Sequence, residues 1–231
     1  MRVVLAQVGL ADKWDWEVAW EFLPPLAEGM AATVAATLVG ITLGMVLGLV
    51  LALLRRSRIR AISWPTGFFI EFIRSTPLLV QLLFLFPFVL PGSRVPTAAF
   101  VTLVIGLGIH YGAYTSESYR AGIESVQRGQ WEASTALNLP TSTTWTRVIL
   151  PQAIPTVIPA LGNYLVAMLK DAPLGIVIGA TTILTVAASI ASQTFRFTEA
   201  YIVMGVLFLA VSLPLSFFAR YLEKRYGFER T

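Results

Sequence analysis

The sequence predicts an all-α integral membrane protein with five transmembrane helices, on two observations. The 231 residues are 56% hydrophobic and only 13% charged, which is far more apolar than a soluble domain of this length. Several uncharged runs reach or exceed the length of about 20 apolar residues that a helix needs to cross a bilayer. The chain has no cysteine, so disulfides and thiolate metal sites are excluded.

The spans and their orientation follow from the uncharged runs and the basic residues beside them. Residues 29–54 carry no charge and are followed at once by Arg55, Arg56, Arg58 and Arg60. Basic flanks of this kind lie in the cytoplasm. Further spans are predicted at residues 64–90, which Glu71 and Arg74 interrupt, and at 96–116, 148–169 and 200–219.

The run 172–195 is also uncharged, but it is not counted as a span. If it crossed the membrane, the basic C-terminal tail would lie outside, against the positive-inside rule. Its many Ala, Ser, Thr and Gly residues suit a segment packed against other helices or lining a cavity. The prediction is therefore five spans, with the N-terminus outside and the C-terminus in the cytoplasm.

Three segments are expected along the chain. Residues 1–28 should form an extracytoplasmic segment, in which Trp14, Trp16 and Trp20 among acidic residues suggest a helix at the outer membrane interface. Residues 29–219 should form the transmembrane domain, which includes a cytoplasmic loop at 117–150. Residues 220–231 should form a cytoplasmic tail.

The cytoplasmic loop is unusually polar for this chain, and it predicts a helix, a sharp turn and a second helix. Asn138 suits the left-handed conformation that ends a helix, and Pro140 stops continuation. The exposed face of the first helix should mix Glu132 with the small residues Ala133, Ser134 and Ala136. Such a face suits docking into a groove of a partner protein, and a solvated connector is the alternative.

Four stretches make the sequence resemble the permeases of ATP-binding-cassette (ABC) importers, in the branch for uptake of polar amino acids. They are EFIRSTPLLVQLLF (71–84), SYRAGIESVQRGQWEAS (118–134), RVILPQAIP (147–155) and LGNYLVAMLKDAPL (161–174). Within the branch, these stretches most resemble those of permeases for ectoine and hydroxyectoine. Ala172 and Pro173 replace a Thr-Ser pair that is usual in the branch, which allows a substrate other than the commonest amino acids.

The loop resembles the EAA loop that couples such permeases to their ATPases. In this chain its residues are Glu132, Ala133, Ser134, Leu137, Asn138, Leu150 and Pro151. Ser134 replaces the second alanine of the usual pattern, and Asn138 replaces a glycine. The resemblance implies the type I importer permease fold in the inner (plasma) membrane of a prokaryote.

The resemblance also implies the partners. They are two ATPase subunits, a second permease that is identical or homologous, an extracytoplasmic solute-binding protein and membrane lipid. No cofactor is expected on this chain, because ATP and magnesium would bind to the ATPase subunits. No metal site and no catalytic residue are expected either.

Charged and polar residues within the spans give a candidate solute path. Glu71 and Arg74 lie three residues apart, so on a helix they can form an ion pair, either structural or on the path together with Thr76 and Gln81. Lys170 and Asp171 are adjacent, so they point in different directions and resemble gate or ligand groups.

Two further features of the spans have simpler explanations. Gly40, Gly44 and Gly48 form a stripe that lets a second helix approach closely. His110, the only histidine, is interpreted as a core residue in preference to a proton relay.

Other functional classes have little support in the sequence. There is no phosphate-binding loop of the form GxxxxGK(S/T), so ATP hydrolysis by this chain is not expected. Nucleic-acid binding is discounted, because the excess of Lys and Arg follows from membrane topology. An ion-coupled secondary transporter or channel is the alternative, although no inverted repeat or ring of charges is visible. A membrane enzyme would need a catalytic constellation, and none is evident.

Overall fold

The computed structural model describes residues 14–89, 91 and 95–226, and every regular element in this part is helical. The α-helices are α1 (Trp16–Arg55), α2 (Arg60–Ser75), α3 (Leu78–Leu85), α4 (Val95–Glu124), α5 (Arg128–Ala136), α6 (Thr141–Thr143), α7 (Leu150–Asp171), α8 (Ile183–Thr194) and α9 (Phe197–Tyr226). Short 3₁₀-helices follow α3 (Phe86–Phe88) and α7 (Ala172–Ile178), and a π-helix joins α6 to α7 (Thr144–Ile149).

Four helical segments among the described residues are long and apolar enough to cross a membrane. They are Trp16–Arg55, Pro96–Glu124, Thr141–Ile178 and Phe197–Tyr226. A fifth span is formed if the pair Arg60–Ser75 and Leu78–Phe88 is counted as one. The all-α membrane fold is therefore confirmed, with four or five spans.

The span predicted over residues 64–90 consists of two helices in the structure, Arg60–Ser75 and Leu78–Phe88. The two helices of this pair meet at an angle of 109°. Thr76 takes an extended conformation between them, with φ −108° and ψ 137°. Pro77 explains the bend, because it lacks an N–H and disfavours helical geometry in the residue before it.

The structure does not separate an interfacial helix from the first span. α1 runs without interruption over 40 residues, through Pro24 and Pro25. At about 1.5 Å per residue it is roughly 60 Å long, twice the thickness of a hydrocarbon core. The expected boundary at residue 28 is therefore not a helix boundary, and residues 1–13 of that segment and 227–231 of the tail lie outside the described residues.

The run 172–195 contains no helix long enough to cross the membrane by itself, although its first residues, Ala172–Ile178, extend the apolar segment that begins at Thr141. Its 3₁₀-helix ends at Gly179, which has a left-handed φ of 74°. α8 then begins after Thr182, whose hydroxyl accepts a hydrogen bond from the Thr185 N–H at 3.3 Å. Twelve residues of α-helix span only about 18 Å, well short of a bilayer.

The chain divides into two compact units. Unit one contains Met1–Gly40, Leu78–Gly106 and Leu169–Pro214. Within it, α1 packs closely on α8, since a Cβ at Gly29 would lie 2.9 Å from Val186 Cγ2. The buried Thr33 hydroxyl accepts a hydrogen bond from the Ile183 N–H at 2.9 Å and satisfies that free N–H at the start of α8.

Unit two contains Ile41–Pro77, Leu107–Met168 and Leu215–Thr231. The glycine stripe permits close packing here, because a Cβ at Gly48 would collide with Thr115 of α4. The Thr115 hydroxyl also donates to the Gly44 carbonyl oxygen at 2.9 Å. Gly44 and Gly48 thus serve helix packing, as their spacing predicts.

Candidate functional site

The polar loop predicted at residues 117–150 forms the expected helix and sharp turn. α5 ends at Ala136, and Asn138 takes the left-handed conformation with φ 50°. Two hydrogen bonds close the end of the helix: Asn138 N–H donates to Thr135 O at 3.0 Å, and Leu139 N–H donates to Ser134 O at 3.0 Å. This is the Schellman arrangement, with Asn in the position that glycine usually occupies.

The second helix of the loop begins at Thr141 and continues through the π-helix into α7. A π-helical turn is a rare element that is frequent at functional sites. Here it carries Trp145 and Ile149 to the inner side of the loop. The turn at Asn138 thus connects α5 directly to a membrane helix.

A compact apolar cluster supports the loop from beneath. Ile123, Val126, Ile149 and Ala153 are buried together, and Trp131, Trp145 and Val148 pack against them. The two tryptophan rings meet edge to face, with centroids 5.4 Å apart. The Arg56 guanidinium, just beyond α1, lies 5.4 Å from the Trp145 ring and 6.0 Å from the Trp131 ring, within the range of cation–π attraction.

Most of the predicted coupling residues are exposed on the other side of α5. The side chain of Glu132 is 65% exposed and accepts a hydrogen bond from Arg128 Nε at 2.9 Å. Ala133 and Asn138 are exposed, and Leu137 is 71% exposed. We call Glu132, Ala133, Leu137 and Asn138 the coupling surface.

The expectation that Ser134 belongs to this exposed face is wrong. Ser134 is buried, and its hydroxyl donates to Gln130 O at 2.8 Å. The hydroxyl is satisfied within its own helix, so it can face the apolar interior at little energetic cost. Ser134 therefore lies on the packed side of α5 and not on its exposed side.

A hollow of about 620 Å³ lies beside the loop. It takes in the predicted residue Pro151, which is exposed, as is Leu150. The other lining residues are Ser125, Val126, Gln127, Gln152, Pro155 and Thr156. The loop therefore presents both a projecting helix and a recess, and such a surface is better suited to binding a protein partner than to catalysis.

Three of the candidate solute-path residues lie in unit two. Arg74 Nη1 is 3.7 Å from Glu71 Oε2, so the predicted pair forms. The Arg74 guanidinium also lies 5.4 Å from the centre of the Tyr114 ring. The Thr76 hydroxyl donates to Phe72 O at 2.9 Å, at the end of α2.

The other three candidates lie in unit one. Gln81 of α3 is buried, with 8% of its surface exposed. Lys170 is exposed in the last turn of α7, and Asp171 is half-buried where α7 ends. In the part of the chain that the structure describes, no group of three or more His, Asp or Glu side chains could hold a metal ion.

Sequence reasoning missed an aromatic cluster in unit two. Tyr111, Tyr114 and Tyr164 pack with ring centroids 6.1 to 6.3 Å apart, and His110 joins them through Tyr111 and Tyr114. The hydroxyls of Ser118 and Tyr164 are 2.9 Å apart. The only signal in the sequence is the spacing of Tyr111 and Tyr114 on one helix, because Tyr164 lies 50 residues further along the chain.

Comparison with known proteins agrees with this architecture. Residues 40–228 match the family described as binding-protein-dependent transport system inner membrane component. The probable amino-acid ABC transporter permease protein y4tG of Sinorhizobium fredii is 46% identical over 171 residues, which cover 74% of each chain. The glutamine transport system permease protein GlnP of Escherichia coli K12 is 34% identical over 215 residues, covering 92% of this chain and 98% of GlnP.

A solved structure also shares this fold. The crystal structure of an amino acid ABC transporter with histidines superposes with a TM-score of 0.82 at 35% identity, covering 93% of this chain and all of that chain. The chain is therefore a multi-pass inner-membrane protein with the type I ABC importer permease fold. It belongs to the family of binding-protein-dependent transport system inner membrane components, in which its relatives are amino-acid ABC transporter permeases.

Proposed function

We propose that this chain is the permease subunit of an ATP-driven importer for amino acids or related zwitterionic solutes, and that the coupling surface receives the motion of the ATPase. The observation that carries the proposal is the construction of α5. It exposes Glu132, Ala133 and Leu137, yet a closed turn and an aromatic cluster hold it in place. A helix that is both exposed and rigidly supported is suited to transmit a push.

The cluster beneath α5 connects a displacement of α5 to the membrane helices. Trp131 of α5 contacts Trp145 of the π-helix, which continues into α7. Ile123 of α4 and Arg56, next to α1, contact the same cluster. Displacement of α5 would move these helices together, because packed interfaces shift between discrete arrangements instead of deforming continuously.

The partners follow from the family. Importer permeases of this kind work with ATPase subunits, a second permease and a binding protein. We assign ATP and magnesium to two ATPase subunits and no catalytic residue to this chain. The second permease is a copy of this chain or a homologue of it.

The orientation in the proposal places the N-terminus outside and the C-terminal tail in the cytoplasm. The end of α9 carries Arg220, Lys224 and Arg225, and the loop carries Arg128 and Arg147. Both groups lie on the cytoplasmic side if the basic residues follow the positive-inside rule. The coupling surface then faces the compartment that holds the ATPase.

The solute is proposed to pass along Glu71, Arg74, Thr76 and Gln81 and to meet Lys170 and Asp171. Groups of both charges suit a solute that carries an ammonium and a carboxylate. The two relatives are named as permeases for amino acids and for glutamine. For this chain, the narrower proposal is that the solute is ectoine or hydroxyectoine. A direct contact at Asp171 predicts that Asp171→Asn raises the half-saturation constant for uptake, with normal expression.

Uptake by the reconstituted complex tests the proposal. Proteoliposomes that contain this chain with its ATPase and binding protein should accumulate radiolabelled solute only when ATP is present on the side of the membrane where the ATPase subunits lie. Glu132→Lys should abolish ATP-dependent uptake. Glu223→Lys is the matched control, because it makes the same charge change at an exposed position near the end of α9 and should transport at the normal rate.

Two outcomes would contradict the proposal. Normal uptake by Glu132→Lys would remove the coupling surface from the mechanism. Uptake by this chain alone, driven by an ion gradient without ATP, would favour the secondary transporter and would direct attention to Glu71, Arg74, Lys170 and Asp171.

A further inference from the structure

An arginine-lined cavity lies in unit two, where the apolar run of α1 ends. Its volume is about 590 Å³, and its walls include Arg55, Arg56, Arg74 and Arg120. Three glutamates, Glu71, Glu117 and Glu124, also line it. Of these residues, Glu71 and Arg74 also belong to the candidate solute path, and Arg56 also contacts the tryptophan pair beneath α5.

The glutamates do not compensate the arginines evenly. Arg120 is held by two of them, at 2.6 Å from Glu117 Oε2 and 2.7 Å from Glu124 Oε2. Arg55 instead donates to the Ser63 carbonyl oxygen at 2.9 Å, and Arg56 lies against the faces of two tryptophans. Contacts with neutral groups leave a positive charge in place, so the side of the cavity near Arg55 and Arg56 is suited to an anion.

Gly67 determines the position of Arg55 in this cavity. A Cβ at residue 67 would collide with the Arg55 guanidinium, so the glycine allows Arg55 to lie directly over α2. The Ser63 carbonyl one turn earlier fixes the same guanidinium. Arg55 is therefore held in a defined place and does not simply extend into solvent.

The surroundings of the cavity are those of a membrane interface. Residues 29–54 contain no charged side chain, so Arg55 and Arg56 mark the point at which α1 leaves the hydrocarbon. On α2, which forms a wall of the cavity, Trp64, Phe68 and Phe72 stack along an exposed face, with ring centroids 6.3 and 6.4 Å apart. Such a face suits contact with acyl chains, and Trp is favoured at the level of lipid head groups.

We propose that this cavity binds the phosphate-bearing head group of an anionic phospholipid, with Arg55, Arg56 and Arg74 as its contacts and with the acyl chains along the aromatic face of α2. Basic pockets between membrane helices are known sites for anionic head groups. The site contains no residue of the coupling surface, although Arg56 also contacts the tryptophan pair beneath α5, and it shares Glu71 and Arg74 with the solute path.

Native mass spectrometry of the full-length chain in detergent tests the proposal. Phosphatidylglycerol and phosphatidylcholine with identical acyl chains are titrated separately, and wild type should retain one phosphatidylglycerol at much lower lipid concentration. Arg55→Gln should weaken this binding about fivefold, the value expected for one basic residue near a lipid surface. Arg220→Gln removes the same charge from α9 and should have no effect.

Gly67→Ala distinguishes a site with a defined geometry from nonspecific electrostatic attraction of an anionic lipid. It leaves every charge in place but displaces the Arg55 guanidinium, so it should also weaken phosphatidylglycerol binding severalfold. Equal binding of the two lipids, wild-type binding by Gly67→Ala and Arg55→Gln, or an equal loss in Arg220→Gln would overturn the proposal. Arg55→Lys, which retains the charge, should bind between wild type and Arg55→Gln.

Inorganic phosphate distinguishes a lipid from a soluble anion. If the occupant is a lipid, millimolar phosphate should leave phosphatidylglycerol binding and the unfolding temperature of wild type unchanged. Stabilisation of wild type by phosphate that is lost in Arg55→Gln would assign the cavity to a soluble anion and contradict the lipid proposal.

Discussion

Two groups of charged residues in this chain have opposite constructions, although each lies next to a helix end with a left-handed residue. Near Phe195, which has φ 60°, Arg196 pairs with Asp15 at 3.3 Å and with Glu199 at 3.7 Å. Near Asn138, which has φ 50°, Arg128 pairs with Glu132 at 2.9 Å. The first group joins the start of α1 to α9, and the second lies within α5 alone.

Exposure decides what each group can do. The Glu199 side chain is 3% exposed, and its carboxylate also accepts a hydrogen bond from the Asp15 N–H at 3.4 Å. Glu132 is 65% exposed and Arg128 is 91% exposed, so water screens their attraction. The buried group therefore holds two helices together, whereas the exposed pair contributes little to stability and remains accessible to a partner.

The largest expected loss of stability follows removal of the charge of Glu199. Glu199→Gln retains the shape but leaves Arg196 partly buried without its nearest compensating charge in α9. Asp15 still pairs with Arg196 at 3.3 Å in this variant, so the cost should lie below that of an uncompensated buried charge, at about 2 kcal/mol. The midpoint temperature of unfolding in detergent should fall clearly, while Glu223→Gln, the same change at an exposed position of α9, should leave it unchanged. Equal midpoints for the two variants would contradict the structural role of the buried group.

A smaller effect is expected at the turn that supports the exposed pair. Asn138→Ala places at φ 50° a residue that lacks the short polar side chain by which Asn tolerates the left-handed conformation, a change that costs about 1 kcal/mol. Asn138→Gly should be at least as stable as wild type, because glycine adopts this conformation without strain. In thermal unfolding, Asn138→Gly should have a midpoint equal to or above that of wild type, and Asn138→Ala should have the lowest midpoint. A lower midpoint for Asn138→Gly than for Asn138→Ala would contradict the left-handed conformation at this position.

The smallest effect on stability is expected for the exposed pair itself. Glu132→Lys places a like charge beside Arg128, and exposed pairs of this kind are worth about 0.5 kcal/mol. The unfolding midpoint should therefore stay within about 1–2 °C of wild type. A large drop would show that Glu132 supports the fold, and any loss of transport in the variant would then have a structural cause.

Several parts of the fold could be predicted because their signals are local. Uncharged runs and the arginines from Arg55 onward place the spans, and the preference of Asn138 for left-handed geometry places the turn of the loop. The bend at Pro77 also has a local signal, but the apolar composition on both sides hides it. Reading the chain by hydropathy alone therefore predicted a span there without its division into two helices.

Other features depend on residues far apart in the chain, so a single sequence does not reveal them. Asp15 meets Arg196 across 181 positions, and Tyr114 meets Tyr164 only after the helices have packed. Ser134 was placed on the wrong side of α5 because a nine-residue helix of mixed polarity has no clear apolar stripe. The coupling residues were assigned by family resemblance, which provides roles and not geometry, and the solute-path residues by the rarity of charged and polar groups within spans.

Co-purification tests most directly whether the coupling surface docks onto an ATPase. The chain, tagged at its C-terminus, is isolated gently from its native membrane as wild type, Glu132→Lys and Glu223→Lys, and bound proteins are quantified by mass spectrometry. An ATP-binding subunit should accompany wild type and Glu223→Lys but be lost, at least tenfold, from a Glu132→Lys protein that is still folded. Undiminished recovery of the ATPase with Glu132→Lys, or its absence from wild type, would contradict the account.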